Sequence, residues 1–308
     1  MILCITPNPA IDRTLVIPSL VLGDVHRAQE TIVAAGGKGL NVARTIRTLG
    51  GEPLCMGFAG GHSGRLLADL AENEGLHSHW TWTETETRTC TILVPQNGDA
   101  TVINEPGMPV SPSDWKRLRK DIRSRLPSAG LVCISGSLPS ASFAEDIRQL
   151  LSMLVDAGKQ TWVDTSGLAL RAALSHPGIC VKVNGSEIGE ILGVAVTDFD
   201  SGKLALAMLQ EPGLPAAVIT LGSLGALLTT KEGRWQATSP PVQVVSSVGS
   251  GDAFLGGLAS ALDAGRSWPE SLGHAVAAGT ANALSAGGGQ FTLKEFDDIR
   301  KQVQIQNW

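Results

Sequence analysis

The sequence lacks the marks of several large classes of protein. It has no CxxC pair and no HExxH, and its five cysteines and six histidines are scattered, so neither a zinc site nor a disulfide framework is indicated. No apolar stretch approaches the ~20 residues that span a bilayer, and no basic segment with a long apolar run opens the chain. We therefore expect a soluble, cytoplasmic protein whose thiols are buried.

Two nucleotide-binding signatures are also missing. The absence of G-x-x-x-x-G-K-[ST] excludes a P-loop, and no G-x-G-x-x-G follows the first apolar run, which disfavours a Rossmann dehydrogenase. The formal net charge of −5 disfavours nucleic acid or a membrane surface as the main partner, although a local basic pocket for an anionic metabolite is compatible with it. What the chain has in quantity is glycine: 36 residues, many in pairs, which indicates loops that approach something closely.

Short apolar runs alternate with amphipathic segments along the chain. This pattern predicts βαβ units and a mostly parallel sheet, that is, an α/β fold. The expected core strands are Ile2–Ile5, Leu54–Phe58, Leu131–Ile134, Thr161–Val163, Cys180–Val183 and Ala217–Thr220. The expected helices are Asn41–Leu49, one near Leu66–Asn73, Ser142–Val155, Lys203–Leu209, Asp252–Leu262 and Trp268–Ala286.

Two segments break this rhythm. Thr14–Val33 and Thr81–Ile103 show alternating residues without a helical period, and Asn97-Gly98 is a hairpin signal. We expect a small β-sheet that projects from the main body and acts as a lid over a site at the carboxyl ends of the parallel strands. For Thr81–Thr91, an exposed linker is the alternative.

The first of three candidate motifs is Gly36-Gly37-Lys38-Gly39-Leu40-Asn41, which leads directly into a helix. Glycines before a helix let backbone N–H groups approach a ligand, and the helix dipole favours negative or hydroxyl-rich groups. Lys38 and Asn41 add side-chain donors. The alternative is a tight turn with a solvated lysine.

The second motif is Ser247-Val248-Gly249-Ser250-Gly251-Asp252, again at a helix start. Its amides would form an anion hole for a transferring phosphoryl group, and Asp252 would accept the proton of an attacking hydroxyl. Read alone, the motif favours an ordinary Asp that caps its own helix.

The third motif is Lys182-Val183-Asn184-Gly185-Ser186-Glu187, at the end of an apolar strand. Asn184 and Glu187 lie three residues apart on a new helical turn and would hold Mg²⁺ through water, because that ion prefers oxygen ligands and keeps its hydration. A capped helix start is an equal alternative.

Together these motifs resemble the ribokinase-like (PfkB) carbohydrate kinase family over nearly the whole chain. In the family's order they are Gly36–Arg44, Gly136-Ser137-Leu138-Pro139, Asp164-Thr165-Ser166-Gly167, Thr220–Ala226 and Val248–Phe254. The resemblance implies a three-layer α/β/α sandwich with a small β-sheet lid. The resemblance further implies that residues 1–308 form a single kinase domain, with lid insertions at about 13–34 and 81–104.

The resemblance also implies site roles, with ATP and Mg²⁺ as cofactors. Asp252 is then the catalytic base, and the amides of Gly249, Ser250 and Gly251 form the anion hole. The nucleotide-binding residues are Lys182, Asn184, Thr220, Gly222, Gly225 and Asn282, with adenine against Ala278–Asn282, and Glu187 binds Mg²⁺ via water. Val183 stands where the family usually has proline, a position that contributes no ligand group.

Within the family the chain resembles the phosphohexose kinases, through Asn8–Asp12, Asn41–Arg44 and Thr87-Arg88-Thr89. Fructose 1-phosphate is the favoured substrate; tagatose 6-phosphate and fructose 6-phosphate are alternatives, followed by an unphosphorylated sugar or nucleoside, or a sensor without turnover. The implied substrate-binding residues are Asp12, Arg27, Gly36, Gly37, Lys38, Asn41, Arg88 and Ser137. Arg88 and Arg27 would bind the sugar's phosphate; solvent-facing charges are the alternative. Apolar alternation at Thr89–Val94 would permit a homodimer through the lid sheet.

Overall fold

A computed structural model describes residues 1–98, 100–140, 142, 144–209, 213–285 and 287–308. Within these ranges the strands are β1 (Ile2–Thr6), β2 (Ala10–Ile17), β3 (Glu30–Gly36), β4 (Pro53–Gly60), β5 (His77–Thr83), β6 (Arg88–Pro95), β7 (Thr101–Asn104), β8 (Leu131–Ser135), β9 (Gln160–Asp164), β10 (Cys180–Asn184), β11 (Ala216–Thr220), β12 (Gly225–Thr230), β13 (Arg234–Thr238) and β14 (Gln304–Asn307). The α-helices are α1 (Lys38–Thr48), α2 (Gly61–Asn73), α3 (Pro112–Arg125), α4 (Ala144–Asp156), α5 (Gly167–Leu174), α6 (Gly185–Leu192), α7 (Phe199–Leu209), α8 (Ser250–Asp263), α9 (Trp268–Asn282) and α10 (Leu293–Arg300).

Among the described residues, one large sheet has the strand order β14-β13-β12-β11-β10-β9-β8-β1-β4-β5. Neighbouring strands are parallel from β11 to β5 and antiparallel from β11 to β14. The six expected core strands all lie in the parallel part, which confirms that prediction. Their runs are apolar without a polar face because a parallel sheet is covered by helices on both sides.

Strand β1 shows how the layers form. Leu3 and Ile5 point into a core shared with α3 to α7, whereas Ile2 and Cys4 point into a second core shared with α1, α2, α8 and α9. Successive side chains of a strand alternate between faces, so one apolar run packs against both helix layers. The expected α/β/α sandwich is therefore confirmed.

A second, smaller sheet has the order β3-β2-β6-β7. Strands β6 and β7 pair antiparallel on either side of Asn97-Gly98, as a hairpin does. Thr81–Thr83, which we grouped with this sheet, instead belong to β5 and pair with β4 in the large sheet. Residues 18–29 carry no strand. Alternation of side chains is common to all strands, so it does not reveal which sheet a strand joins.

Two helices begin earlier than the sequence indicated. Helix α1 starts at Lys38 and α8 at Ser250, because the N-cap glycines take φ values of 117° at Gly37 and 78° at Gly249, which disfavour other residues. Parts of both glycine motifs therefore lie inside the first helical turn. Helix α9 ends at Asn282, and Ala286, the expected end, lies outside the described residues.

All five cysteines are free and buried, as expected. Three of them occupy one rung of the sheet, since Cys4 is the register partner of both Cys55 and Cys133. None of the helices described is both long and apolar enough to cross a membrane.

Candidate active site

A cavity of about 1140 Å³ opens where the parallel strands end. Residues at or just after the carboxyl ends of β1, β8, β9, β10 and β11 line it, together with the starts of α1 and α8 and one face of the small sheet. This is the position at which open α/β sheets bind ligands. Its volume slightly exceeds the ~300–1,000 Å³ range of small-molecule pockets, which is enough for two adjoining ligands.

Asp252 lines this cavity from the first turn of α8. Its carboxylate accepts a hydrogen bond from Asn41 Nδ2 at 2.8 Å, and Lys38 Nζ is 4.0 Å away. Burial raises the pKa of Asp252 to about 6, although Lys38 and Asn41 act in the opposite direction. The helix is capped by Gly249 without a side-chain hydrogen bond, so the ordinary cap is not the arrangement observed.

Two lysines share one buried carboxylate beside Asp252. Asp164 is 2.9 Å from Lys182 Nζ and 3.4 Å from Lys38 Nζ. Burial by itself would raise the pKa of Asp164, but the two ammonium groups together hold it below its ordinary value. In turn, Asp164 above all raises the pKa of Lys38, which is thus a permanent cation. The arrangement presents positive charge to any anion in the cavity.

The glycine-rich start of α8 lies against Lys182. A Cβ at Gly251 would come within 2.8 Å of Lys182 Nζ, so the ammonium packs directly on the backbone there. Ser250, which we expected to contribute its amide to the anion hole, donates that N–H to Ser247 O at 3.2 Å, because the left-handed Gly249 closes a turn. Among the described hydrogen bonds none is donated by the N–H of Gly249, Gly251 or Asp252, so these three amides remain for a ligand.

Three predicted substrate residues meet at the small-sheet end of the cavity: Asp12, Arg88 and Ser137. Arg88 donates to the carbonyl oxygens of Glu105 and Asn8, and its Nε is buried without a partner in the described structure. Burial raises the pKa of Asp12, whereas Arg44 and Arg88 act to lower it.

Two other predicted substrate residues do not line the cavity. Arg27 is exposed in the loop between β2 and β3. Strand β2 reaches the cavity at Asp12 and then runs on for five residues, about 17 Å at 3.3 Å per residue, before this loop begins. Gly36 lies behind Asp12, and its missing side chain leaves room for that carboxylate, since a Cβ would fall 2.2 Å from Asp12 Oδ1. By contrast, Gly37, Lys38 and Asn41 do line the cavity.

The cavity lining on the opposite side includes five residues predicted to bind the nucleotide: Lys182, Asn184, Thr220, Gly222 and Gly225. Their nucleotide-binding role stays a prediction. Asn184 and Glu187 form a capping box at α6, so the cap that we considered as an alternative is present. Glu187 uses one carboxylate oxygen, Oε2, in that cap and lies outside the cavity lining. Gly225 is also required by the sheet, because a Cβ there would lie 2.0 Å from Ala237 O.

Asn282, predicted to bind the nucleotide, does not line the cavity. Its side chain is fully buried; Nδ2 donates to Val248 O and Ser250 Oγ, and Oδ1 accepts from the N–H groups of Gly289 and Gln290. It therefore holds two glycine-rich segments together instead of facing the cavity. Within Ala278–Asn282, the segment expected against adenine, Gly279 and Thr280 line the cavity. The wall beside them is formed by Val276, Ala283 and residues 240–242 and 244.

Sequence reasoning missed several residues in or beside the cavity. Asp164 is fully buried beside the lining residue Lys182; it was named within a motif without a role, although its place at the carboxyl end of β9 was a usable signal. Asn8 lines the cavity; it donates to Ser137 Oγ at 3.0 Å, and its Oδ1 is buried without a described partner. Cys90 and Asn104, bonded at 2.9 Å, line the small-sheet wall, and nothing in their local sequence indicates this.

A buried carboxylate beside two lysines and the glycine-rich starts of two helices provides the groups that phosphoryl transfer requires: a proton acceptor and fixed positive charge. The model of the pfkB family of carbohydrate kinases matches residues 6–294, and the chain belongs to this family. The protein is thus a phosphotransferase with an alcohol group as acceptor.

Similar solved structures agree. Phosphofructokinase-2 from Escherichia coli, in its tetrameric inhibited form, is 29% identical with a TM-score of 0.90, and the match covers 98% of each chain. A protein from Thermotoga maritima described as a possible 1-phosphofructokinase is 23% identical (TM-score 0.89; 100% and 99% covered). Ribokinase from Arabidopsis thaliana is 22% identical (TM-score 0.76; 97% and 98% covered). The last two support the fold alone.

Proposed function

We propose that the protein uses ATP to phosphorylate a hexose that already carries one phosphate, with fructose 1-phosphate as the favoured substrate and a hexose bisphosphate as the product. The observation that carries this proposal is the presence of Arg88 and Asp252 in one cavity. A buried guanidinium Nε without a partner costs free energy unless a ligand accepts its hydrogen bond, and a phosphate group is a suitable acceptor.

Asp252 is the proposed base. The sugar hydroxyl would lie against its carboxylate, which takes the proton as the oxygen attacks the terminal phosphorus of ATP. With a pKa of about 6, Asp252 is ionised at neutral pH and a stronger proton acceptor than an exposed carboxylate. Asn41 fixes its orientation by the 2.8 Å hydrogen bond.

Charge on the transferred phosphoryl group would be held by the free amides of Gly249, Gly251 and Asp252 at the start of α8, with Lys182 against Gly251 and Lys38 near Asp252. The family implies Mg²⁺, and the donor set fits it: the ion needs few protein carboxylates because it keeps several waters. Glu187 would hold it through water, and the ion would neutralise charge on the phosphates of ATP. No cluster of three or more metal-ligating side chains was found among the described residues, so a metal held by protein ligands alone is not proposed.

At the other end of the cavity, Arg88 is the proposed phosphate ligand, and Asp12 and Asn8 are proposed acceptors for sugar hydroxyls. The unpartnered Asn8 Oδ1 supports this, because a buried acceptor without a donor is uncommon. Fructose 6-phosphate is the second candidate, since the Escherichia coli phosphofructokinase-2, at 28% identity, has been solved in complex with it. Tagatose 6-phosphate stays as a further alternative.

A coupled ADP-release assay over a substrate panel tests the proposal. The panel holds fructose 1-phosphate, fructose 6-phosphate and tagatose 6-phosphate, with fructose, ribose and a nucleoside as unphosphorylated comparisons. We expect the highest kcat/KM with fructose 1-phosphate. A higher value for an unphosphorylated substrate would refute the sugar-phosphate assignment, and tight binding without turnover of any substrate would indicate a sensor.

We also propose a homodimer through the small sheet and a cytoplasmic location. Ile32, Ile92 and Val102 lie on one rung of that sheet, and Ile32 and Val102 are more than two-fifths exposed, which supports an apolar contact there. Light scattering should show a dimer, and Ile32→Asp should yield a monomer, while Leu168→Asp on the opposite helix layer leaves the dimer intact. A monomeric wild type would contradict this.

Five buried free thiols support a reducing compartment and hence the proposed cytoplasmic location.

A further inference from the structure

Arg44 is a buried charged residue outside the cavity, and it is 6% exposed. It lies one helical turn after Asn41 on α1 and donates from Nη1 to Asn41 Oδ1 at 2.6 Å. Asn41 in turn donates from Nδ2 to Asp252. Arg44 is thus connected to Asp252, the proposed base, through two consecutive hydrogen bonds. Arg44 itself does not line the cavity, so it does not contact the substrate.

We infer that Arg44 is a positioning residue, which fixes the amide of Asn41 in the one orientation that donates to Asp252; this inference rests on the proposed role of Asp252. An asparagine amide has an acceptor end and a donor end of nearly equal shape, so sterics alone do not choose between its two orientations. Arginine is only a donor and an ionised carboxylate only an acceptor. An amide between the two satisfies both in a single orientation, and the flipped one places like groups together.

Arg44 is itself held rigidly. Its Nε and Nη2 donate to the two carboxylate oxygens of Glu74, the latter at 3.0 Å, and Nη2 also donates to Ala35 O. Glu74 Oε1 accepts from Ala35 N at 3.2 Å. The Arg44–Glu74 ion pair therefore binds both the N–H and the carbonyl oxygen of Ala35, near the end of β3. The planar fork of arginine makes these bonds simultaneously, which the single ammonium of a lysine cannot do.

The backbone of a glycine pair packs against the side-chain amide of Asn41 and restricts its movement. A Cβ at Gly288 would fall 2.7 Å from Asn41 Nδ2, and one at Gly289 would fall 3.1 Å from Arg44 Cβ. This glycine pair is held in place by Asn282, whose Oδ1 accepts from Gly289 N at 2.6 Å. The amide of Asn41 is thus enclosed by Arg44, Asp252 and a glycine turn.

A double-mutant cycle tests whether Arg44 acts through Asn41. Arg44→Met in the otherwise wild-type enzyme should lower kcat by about 10- to 100-fold, as misorientation of a catalytic group does, and leave KM for both substrates within about threefold, because Arg44 lines no part of the cavity. In an Asn41→Ala background the same change should lower kcat by less than about twofold, since the amide that it orients is gone. Arg47→Met, an exposed arginine on the same helix, is the matched control and should behave as wild type.

The pH profile provides a second measurement. Lys38, Asp164, Lys182 and Asn41 are the groups that face Asp252, and Asn41 lowers the pKa of that carboxyl. Arg44→Met should therefore move the acid limb of kcat to higher pH, whereas Arg47→Met, which removes the same charge from the same helix, should not. If Arg44→Met fails to fold, Arg44→Met/Glu74→Gln removes the unpaired carboxylate and is carried through both measurements.

A loss of kcat that is equal in both backgrounds, or an acid limb that does not move, would overturn the inference. Failure of the proposed function looks different, because it appears in Asp252→Asn with Arg44 unchanged. An Asp252→Asn enzyme with near-wild-type kcat refutes the base. An inactive Asp252→Asn enzyme together with additive losses at Arg44 refutes only the positioning role.

Discussion

The carboxylate of Asp164 lies 2.9 Å from the ammonium of Lys182, and both side chains are almost completely removed from solvent. Asp164 ends β9 and Lys182 is near the end of the adjacent strand β10, so the pair bridges neighbouring parallel strands directly beneath the cavity. Lys38 approaches the same carboxylate from α1. One buried negative charge thus holds two positive charges at the position proposed for the phosphates of ATP.

Asp164→Asn should be strongly destabilising. It leaves two ammonium groups beside a neutral amide, and breaking a buried ion pair by removal of one partner typically costs about 3–5 kcal/mol. Urea unfolding at pH 7 measures this, with Asp263→Asn on the partly exposed end of α8 as the control. Because the pKa of Asp164 is lowered in the folded state, its stabilisation is present above the ordinary carboxyl pKa and disappears as pH falls through the lower folded value. A stability equal to that of the control would contradict the pairing.

Asp252→Asn should lower kcat by about 10²- to 10⁴-fold, the usual contribution of a general base. The amide keeps the shape of the side chain, so the fold and ATP binding should persist. Steady-state kinetics and ATP titration by calorimetry check the two halves of this expectation. Near-wild-type turnover would exclude Asp252 as the base.

The activity should fall on acidification with a midpoint near pH 6. Burial raises the pKa of Asp252 to about this value, and only the ionised form accepts a proton, so kcat should drop about tenfold for each pH unit below it. A kcat profile between pH 5 and pH 8 measures the midpoint, and residual activity of Asp252→Asn should lack this limb. A limb near pH 4 would show that the carboxyl is not perturbed.

Arg88→Ala should raise KM for a phosphorylated sugar by about 10- to 100-fold, the effect of losing a charged hydrogen-bond donor, and change KM for an unphosphorylated sugar little. Arg13→Ala is the control, because Arg13 is exposed and lies next to Asp12 on the opposite face of β2. Equal effects on both kinds of sugar would place the sugar's phosphate elsewhere.

Gly249→Ala should cost more stability than Gly265→Ala. Both glycines have left-handed backbone, with φ of 78° and 72°, so the conformational strain is similar and about 1 kcal/mol or more. At Gly249 a Cβ would also lie 2.4 Å from Gly288 Cα, whereas nothing lies within 4 Å at Gly265. The clash should add about 1–3 kcal/mol. Thermal unfolding compares the stabilities of the two variants. Equal losses of stability would show that the backbone around Gly249 and Gly288 moves to accommodate the methyl group.

Much of the fold followed from the sequence because its signals are local. Six of the seven parallel strands contain a short apolar run, and these six runs were found at their observed places. Helix starts were displaced by two or three residues, since the glycines that begin α1 and α8 are caps with left-handed backbone and the motif continues into the helix. The small sheet was found by alternation, but alternation also describes β5, which joins the large sheet.

The site was predictable where a motif carries its own geometry. Asp252, Lys38 and Asn41 lie in glycine-rich helix starts and were found together in the cavity. Arg27 and Asn282 do not line the cavity, and this was not foreseen because neither the reach of a hairpin nor the direction of a buried amide is encoded in neighbouring residues. The amide of Ser250 is not available to a ligand, because it donates to Ser247 O in the turn formed at Gly249.

The sequence by itself determined six of the parallel strands, six of the helices, the glycine turns at the cavity and the residue types that phosphoryl transfer requires, since these depend on local backbone preference and on side-chain chemistry. Only the tertiary structure decided which polar groups meet. Asn41 and Asp252 are 211 positions apart, and Lys38 and Asp164 are 126 apart. Their contacts arise from strand order in the sheet and from the packing of α1 against α8, and neither is a property of any segment alone.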